Sequence, residues 1–166
     1  MSTVKLPAKP KLVESPELRG RFALSTVNSL VLVGGYPNAD GHRHSVQVRL
    51  DGQDKFKTIY MAPSDERGFP KDFDLALDLD VSNFDIEVGE GGRLSKGSDA
   101  QSGELFVNGD ATYLICSEAN ATAPRAMRLD TKLLHTVDHT RGFIFPQWKI
   151  VCHREDGAKV LEILTN

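Results

Sequence analysis

Residues 72–81 alternate polar and apolar side chains with Phe73, Leu75, Leu77, Leu79 and Val81 on one parity and Asp72, Asp74, Asp78 and Asp80 on the other. A helix repeats its faces every 3.6 residues and cannot bury such a pattern, so it predicts a half-buried β-strand with one dry and one acidic face. The apolar parity switches at Ser82 and Asn83 and continues at Phe84, Ile86 and Val88. A two-residue hairpin accounts for the switch, setting Val81 opposite Phe84, Leu79 opposite Ile86 and Leu77 opposite Val88. The same register faces Asp80 with Asp85 and Asp78 with Glu87, at a few tenths to roughly 1 kcal/mol per like-charged pair. Asp74, Asp78, Asp80, Asp85 and Glu87 are therefore the expected acidic binding face. Between Lys71 and Arg93 lie seven of the 23 acids and none of the 20 bases, so the remainder of the chain is net positive.

A length of 166 residues suits one domain with a substantial core. Hydrophobic content of 40% and charged content of 26% are ordinary for a soluble protein, and no apolar run is long enough to span a bilayer, so no membrane partner is expected. The first ten residues carry no apolar core of the secretory kind, from which we expect cytoplasmic synthesis without a signal peptide. Cys116 and Cys152, each in an apolar run, are expected as two buried thiols.

Residues 1–20 hold Pro7, Pro10 and Pro16 and, counted through Arg21, five bases (Lys5, Lys9, Lys11, Arg19 and Arg21) against Glu14 and Glu17. Proline denies this segment regular structure, so it is expected as an extended arm, with residues 21–166 as the folded domain. Residues 22–33 read as one central strand. Residues 45–50 and 55–61 form a hairpin whose three-residue loop matches Val48 to Phe56, and Asn108-Gly109 marks another hairpin. Residues 89–102, rich in glycine, are expected as a flexible excursion. Asp130 as N-cap, with Leu133, Leu134 and Val137 on one face and Gly142 as the stop, predicts a helix. Phe143 and Phe145 alternate, Pro146 intervenes, and Trp148, Ile150 and Cys152 resume on the other parity, which marks an edge or a bulge. An Asp156-Gly157 turn sets Cys152 opposite Leu161 and Ile150 opposite Ile163. Roughly nine or ten short strands and one short helix predict an all-β, single-domain, two-sheet antiparallel sandwich of jelly-roll type, with a barrel as the alternative.

Candidate chemistry is sparse. His42 and His44 share a strand parity and resemble the paired histidines of the cupin family, which would imply a metal site, although Val48 and Arg49 stand where that family has a glutamate. On the predicted helix His135 and His139 would share a face, but Thr136 occupies the place of the glutamate that a zinc protease needs. No nucleophile elbow and no phosphate-binding glycine loop is present. Residues 27–34 resemble the first strand of bacterial single-stranded-DNA-binding proteins of the OB-fold type, which would imply a nucleic-acid groove lined by Lys55, Lys57, Arg67, Lys71, Phe56 and Tyr60. The net charge of −3 counts against that partner. The expectation is a non-enzymatic structural protein without metal or cofactor, assembling as capsid or virion-accessory proteins do by laying its basic arm on the acidic face of another copy or on a larger assembly, with a single-stranded nucleic-acid binder or a histidine-metal small-molecule enzyme as the alternatives.

Overall fold

The structure, a computed structural model, describes residues 2–5, 12–13, 21–25, 29–32, 43–49, 57–61, 76–118 and 125–165. They form strands β1 (Ser2–Lys5), β2 (Phe22–Ser25), β3 (Ser29–Leu32), β4 (Arg43–Arg49), β5 (Lys57–Met61), β6 (Ala76–Asp78), β7 (Asn83–Val88), β8 (Arg93–Lys96), β9 (Leu105–Asn108), β10 (Ala111–Glu118), β11 (Arg125–Arg128), β12 (Leu133–His135), β13 (Arg141–Phe145), β14 (Trp148–His153) and β15 (Lys159–Thr165). The only helical element among the described residues is one 3-10 turn at Gly97–Asp99. Three antiparallel sheets result. The first runs β1-β15-β14-β7, the second β6-β2-β3-β4-β5 and the third β8-β13-β9-β10-β11-β12. A parallel contact of two residues, Ser117 with Lys57 and Glu118 with Thr58, joins the second to the third.

Alternation explains the core. Leu105, Leu114 and Met127 of the third sheet share one buried cluster with Ile150, Cys152, Leu161 and Ile163 of the first, and Phe22, Leu79 and Val81 complete it. Their chain neighbours Phe106, Ile115 and Ala126 point the other way and, with Ile144, form a second cluster closed by Ala100 and Val137. The third sheet is thus dry on both faces where these residues stand, and each fully buried Leu, Ile or Phe stabilises by about 1.5–3 kcal/mol.

The glycine-rich and proline interruptions prove to be a single device. β7 pairs with β14 in the first sheet, and β8 pairs with β13 in the third. Residues 89–92 carry β7 into β8, and Pro146 and Gln147 carry β13 into β14, so one antiparallel ribbon bends from sheet to sheet. The Gly89 N–H donates to the Gln147 carbonyl at 2.8 Å across the bend. A Cβ at Gly92 would lie 2.5 Å from the Phe145 ring, so glycine is needed there for close approach. Residues 89–102 are therefore an ordered bend followed by β8 and the 3-10 turn, not a loose excursion.

Other expectations need correction. In place of one strand, Phe22–Ser25 and Ser29–Leu32 are two antiparallel strands, paired Leu24 to Leu30 and Ser25 to Ser29. The helix from Asp130 is absent. The Asp130 carboxylate accepts the Thr131 N–H at 2.8 Å, Lys132 turns left-handed at φ 58, and Leu133–His135 returns as β12 beside β11. Leu133 and Val137 suited a helical spacing, but short-range capping at Asp130 made a turn of it. The hairpin joining residues 72–81 to 84–88 does not form. β6 pairs with β2, and β7 pairs with β14, so the two segments belong to different sheets.

By contrast, Ile150 does face Ile163, and Cys152 does face Leu161. Val46 opposite Thr58 continues the register predicted from Val48 and Phe56. Asn108 pairs with Ala111, so the loop of that hairpin is Gly109-Asp110, with Gly109 at φ 58.

Candidate functional site

The four described acids of the expected face do not share one face. Asp78 is 3% exposed, and its carboxylate accepts the Arg21 Nε–H at 2.9 Å and the Asp80 backbone N–H at 2.8 Å. Asp80 stands at φ 60, its carboxylate 3.9 Å from the same guanidinium. Asp85 and Glu87 lie on the outer face of the first sheet, Asp85 with His153 Nδ1 at 3.8 Å and Glu87 opposite Lys149. Asp74 lies outside the described residues.

Of the arm, residues 2–5, 12 and 13 are described. Lys5 belongs to β1, opposite Glu162 of the same chain, and Val13 bridges to Asp78. Hydrogen bonding from Lys159, with Lys149 and Lys5 nearby, holds the Glu162 carboxyl below its ordinary value. Lys5 and Arg21 are thus engaged within their own chain, while Lys9, Lys11 and Arg19 lie outside the described residues.

The other candidates remain apart. His44 is in β4 opposite Tyr60, with Lys57 also in β5, whereas His42, Lys55, Phe56, Arg67 and Lys71 lie outside the described residues. His135 ends β12 and packs edge-on to Tyr113, while His139 sits in the following turn, so the shared helical face does not exist. His135 Nε2 and Asp138 Oδ1 are buried without a hydrogen-bond partner among the described residues. No three of His, Cys, Asp or Glu gather into a metal-binding group among the described residues.

Two features escaped the sequence. The first is Lys132, only 7% exposed, its Nζ 5.0 Å from the Phe84 ring centroid and 5.3 Å from that of Phe22. Burial pushes its amine below the ordinary value, and the Arg21 charge adds to that. Burial also raises the Cys152 thiol to about 12, so at neutral pH Cys152 offers no negative charge. The carboxylate of Asp130 favours the ammonium but is itself bonded to Arg128 at 2.7 Å. Ring quadrupoles supply what a counter-ion would, worth about 2 kcal/mol for a desolvated pair.

The second is an uncovered strip on the third sheet. Leu94 of β8 and Phe143 of β13 are directly opposed and 56% and 50% exposed. Half-buried Val107 of β9 continues the row. Phe145, two residues from Phe143 on the same face, packs in the core, so the first sheet covers one end of this face and leaves the other open. Lys96 and Arg141, directly opposed and exposed, border the strip, and neither has an ion pair among the described residues. Apolar residues with a cationic border suit recognition of a protein surface. The alternation of Phe143 with Phe145 was visible in the sequence, but nothing there showed that only one of them is covered.

Fold and site together define an all-β protein with an exposed sheet-face patch, and no helix among the described residues is long and apolar enough to cross a membrane. No protein-family model, curated protein or solved structure matches the chain.

Proposed function

We propose that the chain is a non-enzymatic structural protein that works by protein–protein assembly, with its first and third sheets as the two layers of a jelly-roll-like sandwich. The shared cluster of the two sheets supports that layering. The observation that carries the function is the Leu94–Phe143 pair, two large apolar side chains opposed on neighbouring strands and left to water. A lone exposed apolar residue is common, but a contiguous row with charged borders is the usual mark of an interface. Assembly by the arm alone is the weaker form of this reading, because Arg21 already pairs with Asp78 and Lys5 lies in a strand of its own chain's first sheet. Sedimentation velocity over a range of micromolar concentrations tests the reading. Wild type is expected to associate and Leu94→Ser/Phe143→Ser to stay monomeric with an unchanged far-UV spectrum. A wild type that remains a monomer throughout removes self-assembly.

A further inference from the structure

The borders of the bent ribbon carry opposite charge. β7 ends the first sheet and β8 ends the third, so each leaves one strand edge unpaired among the described residues. Along β7 and the bend stand Asp85, Glu87 and Glu90, all exposed, and Val88 is 47% exposed. Glu87 and Glu90 have no ion pair among the described residues. The β8 side offers Leu94 and Phe143 flanked by Lys96 and Arg141. Opposing these two cations is unfavourable within one chain, and an incoming carboxylate would relieve it. The β7 border thus carries charges opposite in sign to those beside the strip, with Val88 on the other face of the same strand.

We propose that the strip takes the β7 border of a second copy of this chain, with Asp85 and Glu87 of one copy against Lys96 and Arg141 of the next. The inference rests on the assembly reading and names its partner. A single such contact is head-to-tail and propagates into a ring or an open filament, whereas two made reciprocally about a two-fold axis close a dimer. Exposed charges at such a rim steer encounter and fix register, so the contact weakens with salt.

Charge reversal tests it. Asp85→Lys/Glu87→Lys and Lys96→Glu/Arg141→Glu are each expected to weaken self-association at least about tenfold, since both place like charges together. A chain carrying all four reversals should regain it, and an equimolar mixture of the two double variants should form heterocomplexes. All four side chains are exposed, so folding is expected to persist, as checked by an unchanged melting temperature. If the Leu94→Ser/Phe143→Ser variant loses association while neither reversal changes it, the strip is an interface and the β7 partner is wrong. A reversal that weakens association without rescue by the fourfold variant also overturns the pairing, and a monomeric wild type overturns both readings.

Discussion

Residues 72–88 and residues 148–165 carry the same written pattern, two apolar-alternating runs around a short polar turn. In the second stretch the ladder forms, Ile150 with Ile163 and Cys152 with Leu161. In the first it does not, and the runs join different sheets. The turns separate the two cases. Gly157 sits at φ 88, and the Ala158 N–H donates to the Asp156 carboxylate at 2.9 Å, so that turn closes itself. Between β6 and β7 there is no glycine, and the left-handed residue is Asp80, held by a carboxylate that Arg21 already engages. The hairpin would also have stacked Asp80 on Asp85 and Asp78 on Glu87, a repulsion that the observed topology avoids. Alternation decides which residues are buried, and turn chemistry decides which strand they meet.

The largest expected effect tests the first half of that statement. Leu79 is 0% and Leu161 1% exposed in the same cluster, so Leu79→Ala and Leu161→Ala should each cost about 2–5 kcal/mol in urea denaturation although only one lies in a hairpin. A cost below about 1 kcal/mol at Leu79 would mean that residues 76–82 are not part of the core. Next in size is Asp78→Asn, which weakens the Arg21 pair and the hold on the Asp80 N–H, at about 1–3 kcal/mol. Asp85→Asn, on an exposed carboxylate, should stay within about 0.5 kcal/mol. Equal costs at the two positions would contradict the division of the acids into a buried hinge and a solvent face. Gly157→Ala follows at about 1–2 kcal/mol, the cost of a left-handed alanine, since no atom lies within 4 Å of the added Cβ. Amide exchange should speed up across β14 and β15 in that variant, and a silent substitution would deny the turn its role in setting the register.

Much of the fold was therefore legible where a turn left its own signature. Asp156-Gly157 and Asn108-Gly109 announced their hairpins, and the Pro146 interruption announced a bend. Its partner, residues 89–92, suggests flexibility in the sequence because glycine looks the same whether it frees a chain or lets two segments approach. Asp130 misled for a related reason, as one carboxylate can cap a helix or close a turn, and only the pairing of β11 with β12 decides. The candidate strip was not legible. Leu94 and Phe143 are far apart in sequence, and their exposure depends on where the first sheet stops covering the third.

Lys132 touches both compared regions, its Nζ against Phe84 of β7 and its field reaching Cys152 of β14, and it should give a small effect with a pH signature. Its amine is held below the ordinary value of 10.5, so in the interval between the folded value and 10.5 the unfolded chain binds a proton that the folded chain refuses. Stability must then rise with pH across that interval, because unfolding takes up protons. Lys132→Met keeps the packing on Phe22 and Phe84 and removes the titration, so it should gain about 1 kcal/mol at neutral pH and lose that alkaline rise. The check is the urea midpoint of both proteins from pH 7 to 10. Converging curves are expected, with wild type gaining on the variant as pH climbs, whereas parallel curves would mean that the ring faces compensate the buried charge in full and that Lys132 puts no strain on the junction between the two regions.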